Sequence, residues 1–193
     1  MENGLTVGFA FTGSYCTFSK ALPAAEELAN KGIKIIPIFS DTSARTDTRF
    51  GKAKDFIERA EAFSGEKAIC TISTAEPIGP KKLIDVLVIA PCTGNTIAKL
   101  ANGIADTSVT LAAKSHLRNN RPIVIAVSTN DGLGANAVNI GKLLARKNIY
   151  LVPFGQDDCY EKENSLVADF NLILPTIEAA LVHRQLQPIL ISK

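Results

Sequence analysis

The sequence predicts an α/β fold, with a doubly wound, mostly parallel Rossmann-like sheet and helices on both of its faces. Two observations predict it. First, short segments that are apolar at every position, such as Val86–Ala90 and Ile123–Val127, are typical of parallel strands whose two faces are both covered. Second, these segments alternate with segments in which apolar residues recur every three or four positions, as in amphipathic helices. This alternation favours right-handed crossovers and a sheet between two helical layers.

The chain length suits one domain. Its 193 residues, of which 46% are apolar, provide for one hydrophobic core, and we expect a single domain over residues 1–193 with a C-terminal tail at 185–193. A chain of this size buries enough surface to fold without a disulfide or a structural metal.

The first half of the chain is predicted to contain three strands, two helices and two connections. The first helix is amphipathic from Tyr15 to Leu28 and ends at Asn30-Lys31-Gly32, since a cation in the last turn and a glycine behind it are typical of a helix C-terminus. The second helix has its apolar face from Phe56 to Phe63. The strands are predicted at Leu5–Phe11, Ile33–Phe39 and, as a short one, Ile69–Ile72, and the connections at Ser40–Asp47 and Thr74–Lys82.

The second half repeats the alternation. An apolar face from Ile97 to Ile104 indicates a helix that follows the loop Pro91–Thr96. The polar segments Ser128–Ala135 and Gly155–Asn164 are predicted to be loops. The remaining strands are predicted at Val86–Ala90, Ile123–Val127 and Ile149–Val152, the remaining helices at Val109–Leu117, Val138–Lys147 and Pro175–His183, and an apolar tail at Pro188–Ile191.

The charge balance argues against several function classes. Lys and Arg number 21 and Asp and Glu 19, a net charge of +2, whereas a dedicated nucleic-acid binder carries a concentrated basic face. The apolar runs are too short to cross a hydrocarbon core of about 30 Å, and Met1–Gly4 lacks the basic region of a signal peptide. We therefore expect a cytoplasmic protein with no nucleic-acid or membrane partner.

Cysteine and histidine usage argues against zinc sites and triad hydrolases. The four cysteines are widely spaced and form no C-x-x-C pair, so we expect no metal site. The two histidines, His116 and His183, both lie in predicted helices. Cys92 precedes a helix, where a thiol pKa can be lowered, but no histidine lies near it in sequence, which favours a packing role.

Polar residues concentrate in four loops that follow predicted strands. In doubly wound sheets, ligands bind outside the carboxyl ends of the strands. The loops are Thr12–Ser14, Ser40–Thr48, Pro91–Thr96 and Ser128–Asn136, and they hold most of the small polar residues of the chain.

The turn Thr12-Gly13-Ser14 has two interpretations. Gly13 permits close approach of a ligand to the backbone, and the first N–H groups of a helix attract anions, which favours phosphate binding. Alternatively, Ser14 is an ordinary N-cap on a tight turn. The dinucleotide fingerprint G-x-G-x-x-G and the P-loop signature are both absent.

The other loops offer neutral donors and acceptors. Hydroxyls, a carboxamide and backbone N–H groups in Pro91–Thr96 suit a flat uncharged ring or a phosphate at a helix start. No catalytic residue is assigned. The candidate cofactor-binding residues are Thr12, Gly13, Ser14, Ser40, Thr42, Pro91, Thr93, Gly94, Asn95, Thr96, Ser128, Thr129 and Asn130.

Two stretches carry a resemblance to a known family. Gly8–Ser14 and Pro91–Asp106 resemble the strand with its glycine-serine turn, and the later P-A-S-A-N-T-type loop with its helix, of the FMN-binding flavoproteins that include the homo-oligomeric flavin-containing cysteine decarboxylases. The resemblance implies FMN as cofactor. It also implies a homotrimer or a higher homo-oligomer, with the flavin at a subunit interface.

The sequence departs from the decarboxylases of this family. Their active-site histidine falls before the P-A-S-A-N-T-type loop, but there is no histidine between Thr71 and Ala90 here. Their P-x-M-N loop corresponds by position to Val127–Asn130, which has no methionine. Decarboxylase chemistry is therefore not expected, although the flavin fold is.

Further stretches resemble one branch of the family. The resemblance implies oxidation of a dihydro ring dicarboxylate in the mother cell of a sporulating bacterium, together with a separate dehydrogenase-like subunit that binds NAD or NADP. A decarboxylase or flavin prenyltransferase of the same fold, and a non-catalytic subunit that binds a partner or substrate, stay open as alternatives. The stretches are Gly8–Phe18, Pro77–Pro80, Leu117–Pro122, Val127–Asp131, Lys147–Tyr150, Val152–Asp157 and Gln185–Pro188.

Overall fold

The computed structural model describes residues 4–192. Met1–Asn3 and Lys193, the ends of the predicted domain and tail, lie outside the described residues. The strands are β1 (Thr6–Phe11), β2 (Lys34–Phe39), β3 (Val86–Cys92), β4 (Ile123–Thr129), β5 (Ile149–Leu151), β6 (Phe154–Asp158) and β7 (Lys162–Ala168). The helices are α1 (Phe18–Asn30), α2 (Asp41–Arg45), α3 (Ala53–Ser64), α4 (Ile72–Ala75), α5 (Gly94–Ala101), α6 (Ser108–Arg118), α7 (Ala137–Leu144) and α8 (Ile173–Leu181).

The seven strands form one sheet, ordered β2-β1-β3-β4-β7-β6, with β5 paired to β4 as well. Strands β2, β1, β3, β4 and β5 are mutually parallel, whereas β7 pairs antiparallel with β4 and with β6. The amino-terminal part of β4 pairs with β5 and its last residues, Ser128 and Thr129, pair with β7. The prediction of a doubly wound, mostly parallel sheet is confirmed, and the β6–β7 hairpin is placed at the carboxyl edge.

The core lies on both faces of the central strands. Every residue of β3 is buried, which requires helices against each face of the sheet. Phenylalanines of β1, α1 and β2 stack within this core, with the rings of Phe11 and Phe39 4.8 Å apart. Among the described residues, no helix has the length and apolarity that crossing a bilayer requires.

Two predicted segments of the first half are corrected. Ser40–Asp47, predicted to be a loop, contains α2, whose N-terminus is capped by the Ser40 hydroxyl accepting from the N–H of Ser43 at 3.2 Å. Ile69–Ile72 is not a strand, because only Ile69 bridges to Ile38 and Ile72 already begins α4. Both segments were too short for periodicity to distinguish helix from strand.

The second half needs three corrections. β3 continues through Pro91 and Cys92, and β4 through Ser128 and Thr129, so the predicted loops start later. The predicted loop Gly155–Asn164 is instead most of the β6–β7 hairpin. The tail is not independent, because the N–H of Ile191 donates to the carbonyl of Phe154 at 3.1 Å, beside β6.

Candidate functional site

A cavity of about 620 Å³ opens at the carboxyl edge of the sheet, within the range typical of small-molecule sites. The turn after β1, the start of α5, the end of β4 with its following loop, and the β6–β7 hairpin form its walls. The lining residues are Gly13, Ser14, Tyr15, Cys16, Thr17, Lys20, Thr48, Phe50, Thr93, Gly94, Asn95, Ser128, Thr129, Asn130, Asp131, Asp157, Lys162, Ser165, Leu166 and Val167.

The structure brings most of the predicted cofactor-binding residues together. Those that line the cavity are Gly13, Ser14, Thr93, Gly94, Asn95, Ser128, Thr129 and Asn130. Those that do not line it are Thr12, Ser40, Thr42, Pro91 and Thr96. The lining residues come from three strand ends that are far apart in sequence and adjacent in the sheet.

The buried residue Thr12 joins the ends of β1 and β3. Its hydroxyl donates to the carbonyl of Pro91 at 2.7 Å and accepts from the N–H of Thr93 at 3.0 Å. Thr93 in turn caps α5, with its hydroxyl accepting from the N–H of Thr96. Thr12, Pro91 and Thr96 therefore shape the wall of the cavity from behind.

Ser40 and Thr42 also act behind the cavity. The side chain of Ser40 is buried and engaged with Ser43. The backbone carbonyl of Thr42 accepts from the hydroxyl of Tyr15 at 2.8 Å. Helix α2 thus orients Tyr15, which lines the cavity, through a backbone carbonyl, and the hydroxyls of Ser40 and Thr42 do not line the cavity themselves.

A cluster of hydroxyls forms where β1 and β4 end. The Oγ atoms of Ser14 and Ser128 lie 2.9 Å apart, and the Thr17 hydroxyl donates to the carbonyl of Ser14 at 2.7 Å. Although Ser14 precedes a helical turn, its side chain makes no cap hydrogen bond. Ser14 is therefore not an N-cap, and its side chain faces the end of β4 instead.

The start of α5 packs tightly against the loop after β4. The carboxylate of Asp131 accepts from the hydroxyl of Thr129, and its Oδ2 accepts from Asn136 Nδ2 at 2.8 Å. A Cβ atom on Gly94 would lie 2.6 Å from Thr129 Oγ1, 2.7 Å from Asp131 Oδ1 and 2.5 Å from Asn136 Nδ2. Only a glycine fits here without displacing these groups.

Two lysines and two carboxylates give the cavity its charges. Lys162 on β7 donates to Asp157 on β6 at 2.9 Å, and this hydrogen bond raises the pKa of Lys162. Lys20 on α1 and Asp131 complete the set. Within residues 4–192, no group of three or more His, Cys, Asp or Glu side chains is placed to hold a metal ion.

The hairpin side of the site was not predicted from the sequence. Asp157, Lys162 and Ser165 line the cavity; the first two lie in the segment predicted to be a loop, Gly155–Asn164, and Ser165 directly follows it. Residues Leu166–Ala168 are buried and apolar, which was the available signal for a strand. Asp131 was inside a predicted loop but was not singled out as a candidate.

Neither histidine nor the buried cysteine contributes to this cavity. His116 Nε2 donates at 3.0 Å to the carbonyl of Pro122, just before β4 begins. His183 Nδ1 lies 3.5 Å from the hydroxyl of Tyr150 on β5, the strand beside β4. Both therefore lie at the amino edge. Burial lowers the pKa of His116 to about 4 and raises that of the Cys92 thiol, so packing is confirmed as the role of Cys92.

The fold and the cavity define an α/β protein with a ligand-sized site where its parallel strands end. The sequence model of the Flavoprotein family matches residues 1–177, and the chain belongs to that family. The resemblance seen in the sequence is thereby confirmed.

Three known proteins are similar over most of the chain. The B subunit of dipicolinate synthase from Bacillus subtilis (strain 168) is 48% identical over 189 residues, covering 98% of this chain and 94% of that protein. The crystal structure of the corresponding B subunit of dipicolinate synthase from Bacillus halodurans C is 46% identical with a TM-score of 0.91 and covers 100% of both chains. The FMN-dependent cysteine decarboxylase SpaF is 22% identical with a TM-score of 0.64, covering 93% of this chain and 97% of that one, and shares the fold.

Proposed function

We propose that this chain is the flavin-binding B subunit of a dipicolinate synthase, and that it acts with a dehydrogenase-like A subunit to oxidise dihydrodipicolinate to dipicolinate during sporulation. The observation that carries the proposal is the similarity to two dipicolinate synthase B subunits over nearly the whole of each chain. The cavity at the carboxyl edge supplies the site that such a role requires.

The cavity residues suit FMN. Neutral hydroxyls and amides from Ser14, Ser128 and Asn130 match a ring that carries hydrogen-bonding groups without a full charge. At Gly13 a Cβ would meet no atom closer than 3.7 Å, so the backbone stands open to a ligand. Ser14 and the Gly13 backbone would hold the phosphate, and the first N–H groups of α5, at Gly94 and Asn95, offer a second partially positive site.

FMN, when bound, supplies a two-electron acceptor. The residues of this chain then bind and orient. Thr12 fixes the two strand ends that carry the Gly13 turn and the α5 start. The β6–β7 hairpin covers one side of the cavity.

The partners are part of the same proposal. The A subunit would carry NAD or NADP, since this chain lacks the G-x-G-x-x-G fingerprint. Copies of the chain would assemble into a trimer or a higher homo-oligomer in the cytoplasm of the mother cell. A half-exposed Ile104 beside a groove of about 420 Å³ between α5 and α6 supports contact between copies there.

The alternative functions have less support. A cysteine decarboxylase of this family uses a histidine, and His116 and His183 both lie at the opposite edge of the sheet from the cavity. A non-catalytic subunit that only held its partner would not need hydroxyls and amides that line a ligand-sized cavity, whereas one that bound substrate would. The non-catalytic alternative is an outcome of the reconstitution experiment that follows.

The test reconstitutes the reaction. The chain is purified and loaded with FMN, and dipicolinate formation from its dihydro precursor is measured with and without a dipicolinate synthase A subunit and NAD or NADP. We expect a flavin absorption spectrum that bleaches with substrate and turnover only with both subunits. Turnover by this chain alone, or an A subunit fully active with a flavin-free B subunit, would contradict the proposal.

A variant of the phosphate site provides a control. Ser14→Ala should weaken FMN binding about tenfold, because a hydrogen bond to a charged group contributes about 1.5–3 kcal/mol and its loss is partly offset by water. Ser19→Ala, on the outer side of α1, should leave the FMN affinity unchanged. If the two variants bound FMN with equal affinity, the phosphate would not be bound by Ser14.

A further inference from the structure

The cavity contains one carboxylate that no cation neutralises. Asp157 is paired with Lys162 at 2.9 Å. Asp131 lines the same cavity, and within residues 4–192 no lysine, arginine or histidine forms an ion pair with it. This half-buried carboxylate lines a ligand cavity without a counter-ion, so a cationic donor on a ligand could supply the missing partner.

Neutral side chains hold the Asp131 carboxylate in a fixed orientation. One oxygen accepts from Thr129 and the other from Asn136 Nδ2 at 2.8 Å. Each carboxylate oxygen has two lone pairs, so positions remain for a donor on the ligand. The close approach of Gly94 to all three side chains prevents the group from swinging toward α5.

The Asp131 side chain also has a structural role in the turn after β4. It joins Thr129, at the end of β4, to the buried amide of Asn136, at the N-cap of α7. The backbone carbonyl of Asp131 holds the same turn independently, since it accepts from the N–H groups of Gly134 and Asn136. These contacts fix the carboxylate and leave its remaining lone pairs to a ligand.

We infer that Asp131 is a specificity-determining residue, which accepts a hydrogen bond from the protonated ring nitrogen of a cyclic dicarboxylate. This inference rests on the proposed function, because a ring nitrogen between two carboxylates is what distinguishes a dipicolinate precursor from other six-membered ring diacids. Lys20, which lines the same cavity, and Lys162, whose charge is shared with Asp157, provide positive charge for the carboxylates. The protonated ring nitrogen is then recognised by the Asp131 carboxylate, which has no ion-pair partner in the cavity.

Two ligands of the same shape test this. Piperidine-2,6-dicarboxylate carries a ring ammonium, and cyclohexane-1,3-dicarboxylate, as the matching cis isomer, carries a CH₂ in its place. Isothermal titration calorimetry of the full chain loaded with FMN, at pH 7.5, gives the ratio of the two dissociation constants. We expect the piperidine compound to bind at least about tenfold more tightly, which is the lower bound for a hydrogen bond between charged groups.

Variants locate the effect. Asp131→Asn should bring the ratio close to one, whereas Asp157→Asn, at the paired carboxylate, should tighten both ligands together and keep the ratio. A ratio near one in the wild-type chain, which needs no variant, would overturn the inference, as would an unchanged ratio in a folded Asp131→Asn protein. Failure of both diacids to bind would instead contradict the proposed substrate class, and with it this inference.

Discussion

The two edges of the sheet both carry polar side chains and use them differently. At the carboxyl edge, the hydroxyls of Ser14 and Ser128 and the carboxylate of Asp131 border an open cavity. At the amino edge, Asp85 accepts from the backbone N–H of Thr6 at 3.0 Å, and its other oxygen accepts from Arg121 at 3.1 Å. Polar groups at one edge are thus available to a ligand, and those at the other are used by the chain itself.

The amino edge shows what a polar cluster looks like when it serves the fold. Arg121 donates to the carbonyl of Ile84, and His116 donates to that of Pro122. The carbonyl of Ile84 would otherwise be without a partner near a strand start, which is costly, whereas that of Pro122 also accepts from the backbone N–H of Leu87 at 3.2 Å. Polarity alone therefore does not separate a binding residue from a structural one, and residues at the carboxyl edge need a test of their role.

The largest predicted effect tests whether a residue at the carboxyl edge belongs to the fold. Thr12→Val keeps the shape of the side chain and leaves the carbonyl of Pro91 and the N–H of Thr93 without their partner. We expect the free energy of unfolding to fall by about 2–4 kcal/mol, since each buried unsatisfied group costs about 1–3 kcal/mol. Urea denaturation measures it.

The control for Thr12 is Thr42→Val. The side chain of Thr42 is exposed, and its hydrogen bond to Tyr15 uses only the backbone carbonyl. Its stability should change by no more than about 0.5 kcal/mol. If Thr12→Val lowered the affinity for FMN and left the free energy of unfolding unchanged, Thr12 would be a binding residue and not a structural one.

The sequence was sufficient for the parallel part of the fold. Continuous apolar runs predicted β3 and β4 because strands buried on both faces leave no polar residues in the run. A second rule, that ligands bind where parallel strands end, predicted the edge of the sheet at which the cavity lies. The family resemblance then added the cofactor, which no local pattern indicates.

The hairpin could not be predicted in the same way. Its exposed residues, Gln156 and Asp157 on β6 and Lys162–Asn164 on β7, read as a loop because an edge hairpin is largely solvated. Only its pairing with the end of β4, at Ser128 and Thr129, makes it a wall of the cavity. That contact joins residues about 40 positions apart in sequence, which local periodicity does not detect.

The prediction of one domain over residues 1–193 stays a prediction.

The second prediction concerns pH and the amino edge. Burial holds the pKa of His116 at about 4, below its ordinary value near 6.5. Between these values the unfolded chain binds a proton that the folded chain does not, so stability falls as the pH decreases from about 6.5 to 4 and is fully present above that window. The contribution amounts to about 3 kcal/mol.

A variant isolates this contribution from the carboxyl groups that titrate nearby. His116→Gln keeps a donor for the carbonyl of Pro122 and removes the titration. Between pH 7 and pH 4, the wild-type chain should therefore lose about 3 kcal/mol more stability than the variant. Parallel pH profiles of the two proteins would show that His116 is not buried as a neutral ring, and the amino edge would then be open to solvent.

The smallest predicted effect compares a glycine beside the cavity with one away from it. A Cβ on Gly132 would lie 2.7 Å from Leu166 Cγ, where the loop after β4 meets the hairpin, whereas a Cβ on Gly141, inside α7, would have no neighbour within 4 Å. Gly141→Ala should stabilise the protein by about 0.5–1 kcal/mol, because alanine favours a helix interior over glycine. Gly132→Ala should destabilise it by about 1–3 kcal/mol through overpacking against β7. Thermal unfolding of both variants measures the contrast, and a stable Gly132→Ala protein would mean that the hairpin is not held against the β4 loop and that this wall of the cavity is free to move.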